Sequence, residues 1–446
     1  MTATAHEAEL RTAQPVAPEP PAHRDPNVLR WLAAYTASMV GDSVYYIALS
    51  WAAVQAGTPS QAGLVMTASA LPRALLMLGG GVIADRLGPR RVVIGSDAVR
   101  CAAVLAVAAL LYATSPGLWP LALLALVFGA VDAVFVPAVG ALPARVTRRD
   151  QLARVQGMRG LAIRFASVVG APLGGFGVAA GGATAAFAIA GLLIAVSVPL
   201  LLCVRMRDLP PDDATADATA DTTADAGAPN ATAWADLVAG LGYIRRHRVL
   251  APLMAAIALG DLGFVGPLNV GLTLLADERG WGASGMGWVL CGFGVGAGAA
   301  SLLLTLRGRL PHAGQVAGWS ILAGSLAVGS LAYAPTVAAA VGTALLIGLL
   351  AGLSGAMCGA LLQTQADPAY LGRVTAVSSL VSLGLSPLSM PLSAAAIGAW
   401  GTGPVFVVSA AVCGLGGIGP RAPPPLPPPN TPPASLIQTS TPPPQH

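Results

Sequence analysis

The chain has 446 residues, of which 55% are hydrophobic and only 10% are charged, and its mean hydropathy is +0.70. Soluble domains carry about 25% charged residues, so this composition excludes an ordinary soluble protein. All 24 basic residues are arginines and the net charge is +4. We attribute this charge to membrane topology, and not to nucleic-acid binding, because of where the arginines fall.

The cysteines and histidines give no sign of a metal centre or an active site. The five cysteines lie singly within apolar segments, so we expect packing residues and not disulfides or zinc ligands. The five histidines lie outside those segments and form no cluster. Because no nucleophile, base and acid are grouped, we expect a protein that is not an enzyme and that uses no metal or cofactor.

The first segment, residues 1–27, is polar and rich in Ala and Pro. It lacks the basic, apolar and small-residue regions of a signal peptide. It therefore predicts a disordered cytoplasmic arm, and we interpret the first apolar segment as an uncleaved signal anchor.

Apolar blocks of about 20 residues, the length that crosses about 30 Å of hydrocarbon, then recur along the chain. They predict an all-α membrane protein with twelve transmembrane helices. The predicted spans are 29–51, 62–84, 92–112, 118–140, 161–180, 183–204, 250–275, 284–306, 315–334, 336–362, 374–398 and 404–419. The last is short, because its 16 residues reach only about 24 Å as a helix.

Arginines collect in alternate loops between these spans. The outer loops hold only Arg279, beside Asp277 and Glu278, if the N-terminus is inside. Arginine retained on the cytoplasmic side is the positive-inside rule, so we expect both termini to be cytoplasmic and the protein to be a multi-pass protein of the cell membrane. The inner loops would hold Arg86, Arg90, Arg91, Arg145, Arg148, Arg149, Arg154, Arg159, Arg307, Arg309 and Arg373.

The segment 205–248 interrupts the apolar pattern with the low-complexity run "DLPPDDATADATADTTADAGAPNAT". Such a run could be a regulatory loop, but a flexible linker is the simpler interpretation. The linker would join two six-helix bundles, 28–204 and 249–420. The Pro-rich tail 421–446 predicts an extended or disordered chain.

Four charged residues lie near the middle of predicted spans: Asp42 in "MVGDSVYYIALS", Arg73, Asp132 and Asp261. Each costs roughly 2.5–3.5 kcal/mol at the bilayer centre on insertion scales. Two compatible interpretations remain open. One is an interhelical salt bridge, for example Arg73 with Asp132 or Asp42, and the other is a water-accessible cavity in which substrate or protons bind.

A weak internal repeat relates the two predicted bundles. Spans one and seven both carry Gly-Asp near their middle, at Gly41-Asp42 and at Gly260-Asp261. Spans two and eight both begin near Ser-x-x-Gly, at residues 60–63 and 284–287. Parallel repeats of this kind occur in transporters.

The loop between spans two and three, "GGGVIADRLGPRRVVIGSDAVR", is unusually charged for so short a link. We expect glycine to permit close helix approach at Gly81 and a tight turn at Gly88. Asp97 and Arg100, three residues apart, predict an intrahelical pair supporting the inner gate. In span five, "GAPLGG" predicts close packing and a bend at Pro172. The residues assigned to the gate loop and the bent helix are Gly81, Asp85, Arg86, Gly88, Arg90, Arg91, Gly170, Pro172, Gly174 and Gly175.

The loop resembles the G-x-L-a-D-R-x-G-R-R motif of the major facilitator superfamily, with departures at Ile83 and Pro89. Stretches including "VFVPAVGALPARVTRRDQLARVQGMRG" and "LLQTQADPAYLGRVTAVSSL" are similar to the branch that contains enterobactin exporters and macrolide-efflux proteins. The resemblance covers about residues 28–398 and includes the Gly-rich fifth helix of the family's antiporters.

This resemblance implies that spans one, four, seven and ten line a central cavity. The implied function is proton-driven export of a small, partly hydrophobic drug, siderophore or metabolite by alternating access. Asp42 or Asp261 would be the coupling carboxylate, with Asp132 and Arg73 as substrate or charge-balance groups. Tyr45 and Tyr46 are further candidates for the cavity wall.

Two alternatives stay open: a proton-coupled or facilitated importer of a nutrient, and a non-transporting receptor on the same fold. The expected partners are the substrate, protons and the lipid bilayer, with no nucleic acid and a monomeric chain. The sequence does not identify the substrate.

Overall fold

Helices make up nearly all of the regular structure in the computed structural model, which describes residues 21–114, 117–206, 231–307, 313–367 and 370–418. The run Leu152–Leu202 leaves helical backbone angles at Gly181 and Gly182, and we therefore treat it as two helices, α5 and α6. The helices are α1 (Pro26–Ala56), α2 (Pro59–Leu87), α3 (Pro89–Ala113), α4 (Trp119–Val146), α5 (152–180), α6 (183–202), α7 (Ala231–Arg246), α8 (Leu250–Glu278, with a π-helical turn at Pro267–Gly271), α9 (Gly282–Arg307), α10 (Ala313–Leu331), α11 (Val337–Gln365), α12 (Leu371–Trp400) and α13 (Thr402–Ile418).

Local sequence explains where several of these helices begin. The Asp25 side chain accepts a hydrogen bond from the backbone N–H of Asn27 at 2.8 Å, immediately before α1. Thr58 and Gln61 form a reciprocal capping box at the start of α2. Both arrangements satisfy backbone N–H groups that the first turn of a helix leaves without partners.

Each predicted span coincides with a helix. By length and hydropathy, seven of the described helices are sufficient to cross a bilayer, with the run Leu152–Leu202 counted once. α13, with 17 residues, is a shorter apolar helix. The seven are Pro89–Ala113, Trp119–Val146, Leu152–Leu202, Leu250–Glu278, Gly282–Arg307, Val337–Gln365 and Leu371–Trp400.

The second part of the predicted linker is helical. α7 packs against α12, and the ring of Tyr243 stacks on Tyr370 with 4.5 Å between ring centroids. The acidic low-complexity run lies outside the described residues, as do the first 20 residues and the Pro-rich tail.

Small residues set the packing within the first group of helices, α1–α6. In α5, Gly170 and Gly174 face α1, where a Cβ on Gly174 would lie 2.9 Å from the Ile47 Cβ and one on Gly170 would overlap Ser43. The expected close packing of this glycine-rich segment is therefore confirmed. The backbone stays helical through Pro172 and breaks only at Gly181 and Gly182.

The first group meets the second group, α8–α13, mainly through two helix pairs, α2 with α12 and α5 with α9. Each pair uses the glycine of one Ser-x-x-Gly sequence. A Cβ on Gly63 would overlap the Ala394 Cβ of α12, and one on Gly287 would lie 2.6 Å from the Ala171 carbonyl of α5. The sequence repeat thus marks equivalent contacts between the two groups.

These contacts lie toward one end of the molecule, where α1 and α8 finish. There the Gln55 amide donates to Asp277 at 2.7 Å, and the hydroxyls of Ser50 and Thr273 are hydrogen-bonded. The buried apolar clusters at this end mix side chains of both groups. At the other end, one cluster draws only on α1–α6 and neighbouring residues, and another only on α7–α13 and neighbouring residues. We call these the closed end and the open end.

Candidate functional site

A single arginine joins buried carboxylates from three helices in the first group. Arg100 of α3 is fully buried, and its Nη1 lies 2.7 Å from Asp42 of α1 and 3.3 Å from Asp132 of α4. Its Nη2 forms an ion pair with Asp97, one turn earlier on α3. The guanidinium also sits 3.9 Å from the ring centroid of Phe135, close enough for a cation–π contact.

The three carboxylates differ in how fully they are satisfied. Asp97 is 1% exposed and accepts hydrogen bonds from Arg100, Ser38 and Ser197. Asp42 is 16% exposed, and only its Oδ2 reaches Arg100. Its Oδ1 is buried without a hydrogen-bond partner among the described residues. Asp97 is therefore fixed by its neighbours, whereas Asp42 keeps a free acceptor.

Asp42 and Asp132 face a cavity of about 230 Å³ between α1, α2, α4 and α5. Two further arginines line it, Arg73 and Arg159, and neither forms an ion pair within the described part of the chain. With Arg100 and Asp97 included, three arginines face three aspartates, so the formal charges of this site balance. Its other lining residues include Tyr35, Met39, Ser43, Tyr46, Val136 and Ser167.

This arrangement places most of the predicted cavity residues together. Asp42, Asp132, Arg73 and Tyr46 line one cavity. Tyr45 points elsewhere, since it is fully buried and its ring stacks on Phe128 with 3.6 Å between centroids.

Asp261, on α8, lines a separate cavity in the second group and does not reach the Arg100 cluster. This second cavity lies between α8, α10, α11 and α13.

Sequence reasoning missed the central place of Arg100. The predicted pair with Asp97 is present, but it lies in the interior, joined to Asp42 and Asp132. The salt-bridge interpretation had named Arg73 as the counter-ion of Asp132 or Asp42. In the structure, the arginine that forms ion pairs with both carboxylates is Arg100. A signal was available, because Arg100 is the twelfth of 25 residues in α3 and so lies near mid-helix. Arg159, assigned to an inner loop, lies within α5 and lines the cavity.

The charged loop between α2 and α3 adopts the predicted tight turn. Gly88 has φ +84° and Pro89 is the first residue of α3, so this expectation is confirmed. Arg90 donates to the Leu202 carbonyl at 2.7 Å, which ties the loop to the end of α6. The expected close approach at Gly81 is wrong: among the described residues, a Cβ there would meet nothing within 4 Å, whereas one on Gly80 would overlap α4.

The remaining loop residues carry no described contact that assigns them a role. Arg86 and Arg91 are exposed, and the side chain of Asp85 lies outside the described part of the structure.

Long apolar helices in two groups, with balanced charges buried beside a cavity, are the arrangement of a polytopic membrane transport protein. The family model described as Major Facilitator Superfamily matches residues 31–385. The chain therefore belongs to this superfamily and is a transporter of the multi-pass cell-membrane type. Its members act on small molecules and are generally not enzymes.

Comparisons with individual proteins agree with this assignment. The chain is 25% identical over 361 residues to "Enterobactin exporter EntS" of Shigella boydii serotype 18 (strain CDC 3083-94 / BS512), covering 80% of each chain. Among solved structures, it is similar to the nucleoside transporter NupG (D323A mutant), with a TM-score of 0.66 at 12% identity, covering 88% of this chain and 98% of that one. It also resembles the human organic anion transporter MFSD10 (TETRAN), with a TM-score of 0.57 at 16% identity, covering 90% and 99%. At these identities the structural matches establish the fold alone.

Proposed function

We propose that this transporter exports a small hydrophobic or amphipathic compound by alternating access, driven by protons moving inward. The observation that carries the proposal is the sharing of Arg100 by carboxylates on α1, α3 and α4, beside a cavity that Asp42 and Asp132 both face. The similarity to enterobactin exporters over 80% of the chain supports export as the direction.

The proposed topology has twelve transmembrane helices, with both termini cytoplasmic and two six-helix bundles, 28–204 and 249–420. Two features support it: every predicted span coincides with a helix, and arginine is concentrated in the loops assigned to the inside. In this topology the closed end is extracellular. The described conformation would then face the cytoplasm, the state in which an exporter loads its substrate.

Asp42 is the proposed coupling residue. An arginine keeps its charge in a protein, so a change in the net charge of this cluster has to come from a proton binding to one of the three carboxylates. Asp97 has a full set of donors, whereas Asp42 and Asp132 share one Nη1 and Asp42 has a free oxygen. A proton on Asp42 would neutralise it, free Arg100 for Asp132, and loosen the contact between α1 and α3.

The cavity lining suggests which compounds it would accept. Tyr35, Tyr46 and Phe135 offer aromatic surface, and the arginines and aspartates offer both signs of charge. An amphipathic molecule with an apolar ring and a polar group fits this mixture better than a fully hydrated ion or a simple hydrocarbon.

The test is transport by the full chain in proteoliposomes carrying a pH gradient, with a panel of fluorescent amphipathic compounds. We expect the substrate to move against the direction of proton flow. Asp42→Asn should lower gradient-driven transport at least tenfold and preserve substrate exchange without a gradient, because it removes the proton site and leaves the cavity. The matched control is Asp150→Asn, whose side chain is 68% exposed in a surface loop and which should leave both activities unchanged.

Gradient-driven transport that survives Asp42→Asn would exclude this residue as the coupling site. Movement of substrate in the same direction as protons would identify an importer instead. A protein that moves no compound while remaining folded would favour the receptor alternative.

A further inference from the structure

The second group of helices contains a cavity that the proposed transport site does not use. It has a volume of about 280 Å³ and lies between α8, α10, α11 and α13. Small and apolar side chains form most of its wall, among them Ile257, Phe264, Val328 and Ile347. Its volume is slightly below the range for small-molecule pockets, about 300–1,000 Å³, so it would hold only a small ligand.

Among the described residues of this wall, Asp261 is the one carboxylate, and there is no arginine or histidine. The side chain of Ser382 on α12 lies near the carboxyl group. The Oδ2 atom is buried and has no hydrogen-bond partner among the described residues. No described cation lies within ion-pair distance of Asp261, unlike Asp42.

The internal repeat explains why the two carboxylates differ. Gly129 of α4 packs on the Ser69 carbonyl of α2, and Gly348 of α11 packs equivalently on the Phe293 carbonyl of α9. These two glycines are therefore matching positions in the two groups.

Three residues after each glycine come Asp132 in α4 and Ala351 in α11, and Ala351 lines the second cavity. The helix that matches α3 is α10, which contains no arginine. The second group thus keeps the carboxylate of the Gly-Asp pair but has Ala351 at the position of the second carboxylate, and no arginine in the helix that matches α3.

We infer that this cavity binds a small protonated amine with an apolar body. The ammonium group would donate to the free Oδ2 of Asp261 and replace the missing arginine. Hydroxyls of Ser320 and Ser354 line the same cavity and offer further oxygen acceptors. The hydrocarbon part would lie against the apolar wall, where burial stabilises it by about 25 cal/mol per Å². The negative charge of Asp261 excludes an anion, and the small volume of the cavity excludes a large molecule.

Native cysteines provide a local readout of occupancy. Cys358 and Cys413 are buried and line the cavity, whereas Cys203 is exposed in the first group. The rate at which N-ethylmaleimide alkylates each cysteine of the purified full chain can be followed by mass spectrometry. Cys203 then reports any direct loss of reagent to the added amine.

Cyclohexylamine is the probe and cyclohexanol its neutral match. At about 10 mM amine and a Kd near 1 mM, occupancy reaches about 90%, so alkylation of Cys358 and Cys413 should slow roughly tenfold. Cyclohexanol should protect neither cysteine. Asp261→Asn should abolish the protection, and Asp150→Asn should retain it. Ala351→Leu, which fills the cavity and keeps the carboxylate, should also abolish it.

Equal protection by cyclohexanol, or protection that survives Asp261→Asn, would show an apolar pocket without charge recognition and overturn the inference. Absence of protection by cyclohexylamine in the unmodified chain would mean that Asp261 holds only a proton, which also overturns it. The readout measures binding without transport, so it does not depend on the proposed export cycle.

Discussion

Replacing Arg100 by glutamine tests whether one buried guanidinium holds α1, α3 and α4 together. The substitution removes the positive charge from three carboxylates, two of them at 2.7 and 3.3 Å, in a site where the arginine itself is 0% exposed. Removing one partner of a buried ion pair costs about 3–5 kcal/mol, because the other charge stays buried and unpaired. We therefore expect Arg100→Gln to lower the free energy of unfolding by about this amount.

A purely hydrogen-bonding role predicts a much smaller loss. Hydrogen bonds between helices in a membrane protein average about 0.6 kcal/mol by double-mutant cycles, with a maximum near 1.7 kcal/mol. The two interpretations are therefore separated by a measurable gap.

The assay is reversible unfolding of the full chain in mixed detergent micelles. The matched control is Arg148→Gln, because Arg148 is 54% exposed and lies 3.7 Å from Asp150. Exposed pairs of this kind contribute about 0–1 kcal/mol. A second variant, Arg100→Gln combined with Asp97→Asn, should recover part of the loss, since contacting residues couple by about 0.5–3 kcal/mol.

The loss of unfolding free energy caused by Arg100→Gln should also be smaller in acid buffer, because the carboxylates left without a counter-charge take up protons there. A loss below about 1.7 kcal/mol at neutral pH, with no recovery in the double variant, would refute the electrostatic explanation.

Three further predictions concern the closed end and the gate loop. The double variant Ser50→Cys, Thr273→Cys should form a disulfide under mild oxidation, because these two side chains are in contact across the two groups. The disulfide should stop transport until it is reduced. Transport that continues in the fully cross-linked protein would contradict closure at this end. Adding Gly287→Leu should slow that cross-linking, since the new side chain collides with α5, and an unchanged rate would count against the packing described. Gly88→Ala should lower the free energy of unfolding by about 1–3 kcal/mol, because φ +84° and ψ 131° lie outside the regions that residues with a Cβ adopt readily. Gly95→Ala, at a helical position with no described atom within 4 Å of an added Cβ, should be neutral or stabilising in the same thermal-unfolding measurement.

The sequence was most informative about depth in the bilayer. A helix rises 1.5 Å per residue whatever surrounds it, so the positions of Asp42, Asp132 and Asp261 near mid-span followed from counting. The same count would also have placed Arg100 near the middle of its helix, but Arg100 was interpreted only as the partner of the nearby Asp97. Because Asp97 is so close in sequence, the other two partners of Arg100, Asp42 and Asp132, were not predicted.

Rotation about each helix axis was not available from the sequence. Depth alone gave Asp42 and Asp261 the same description, because both follow glycine near the middle of an apolar span. The structure separates them: Asp42 meets an arginine from α3, and Asp261 lines a cavity whose described wall contains no arginine. Tyr45 and Tyr46, adjacent in sequence, point to a packed interior and to a cavity for the same reason.

The sequence by itself determined that this chain is a helical membrane protein, where its long apolar helices lie, and which superfamily loop it carries. It did so because lipid offers the backbone no hydrogen bonds, which leaves apolar segments of this length one stable conformation. Only the tertiary structure decided which charges meet, which glycines bring the two groups together, and which end is closed. Those outcomes depend on how helix faces distant in sequence pack against one another, and hydropathy carries no record of that packing.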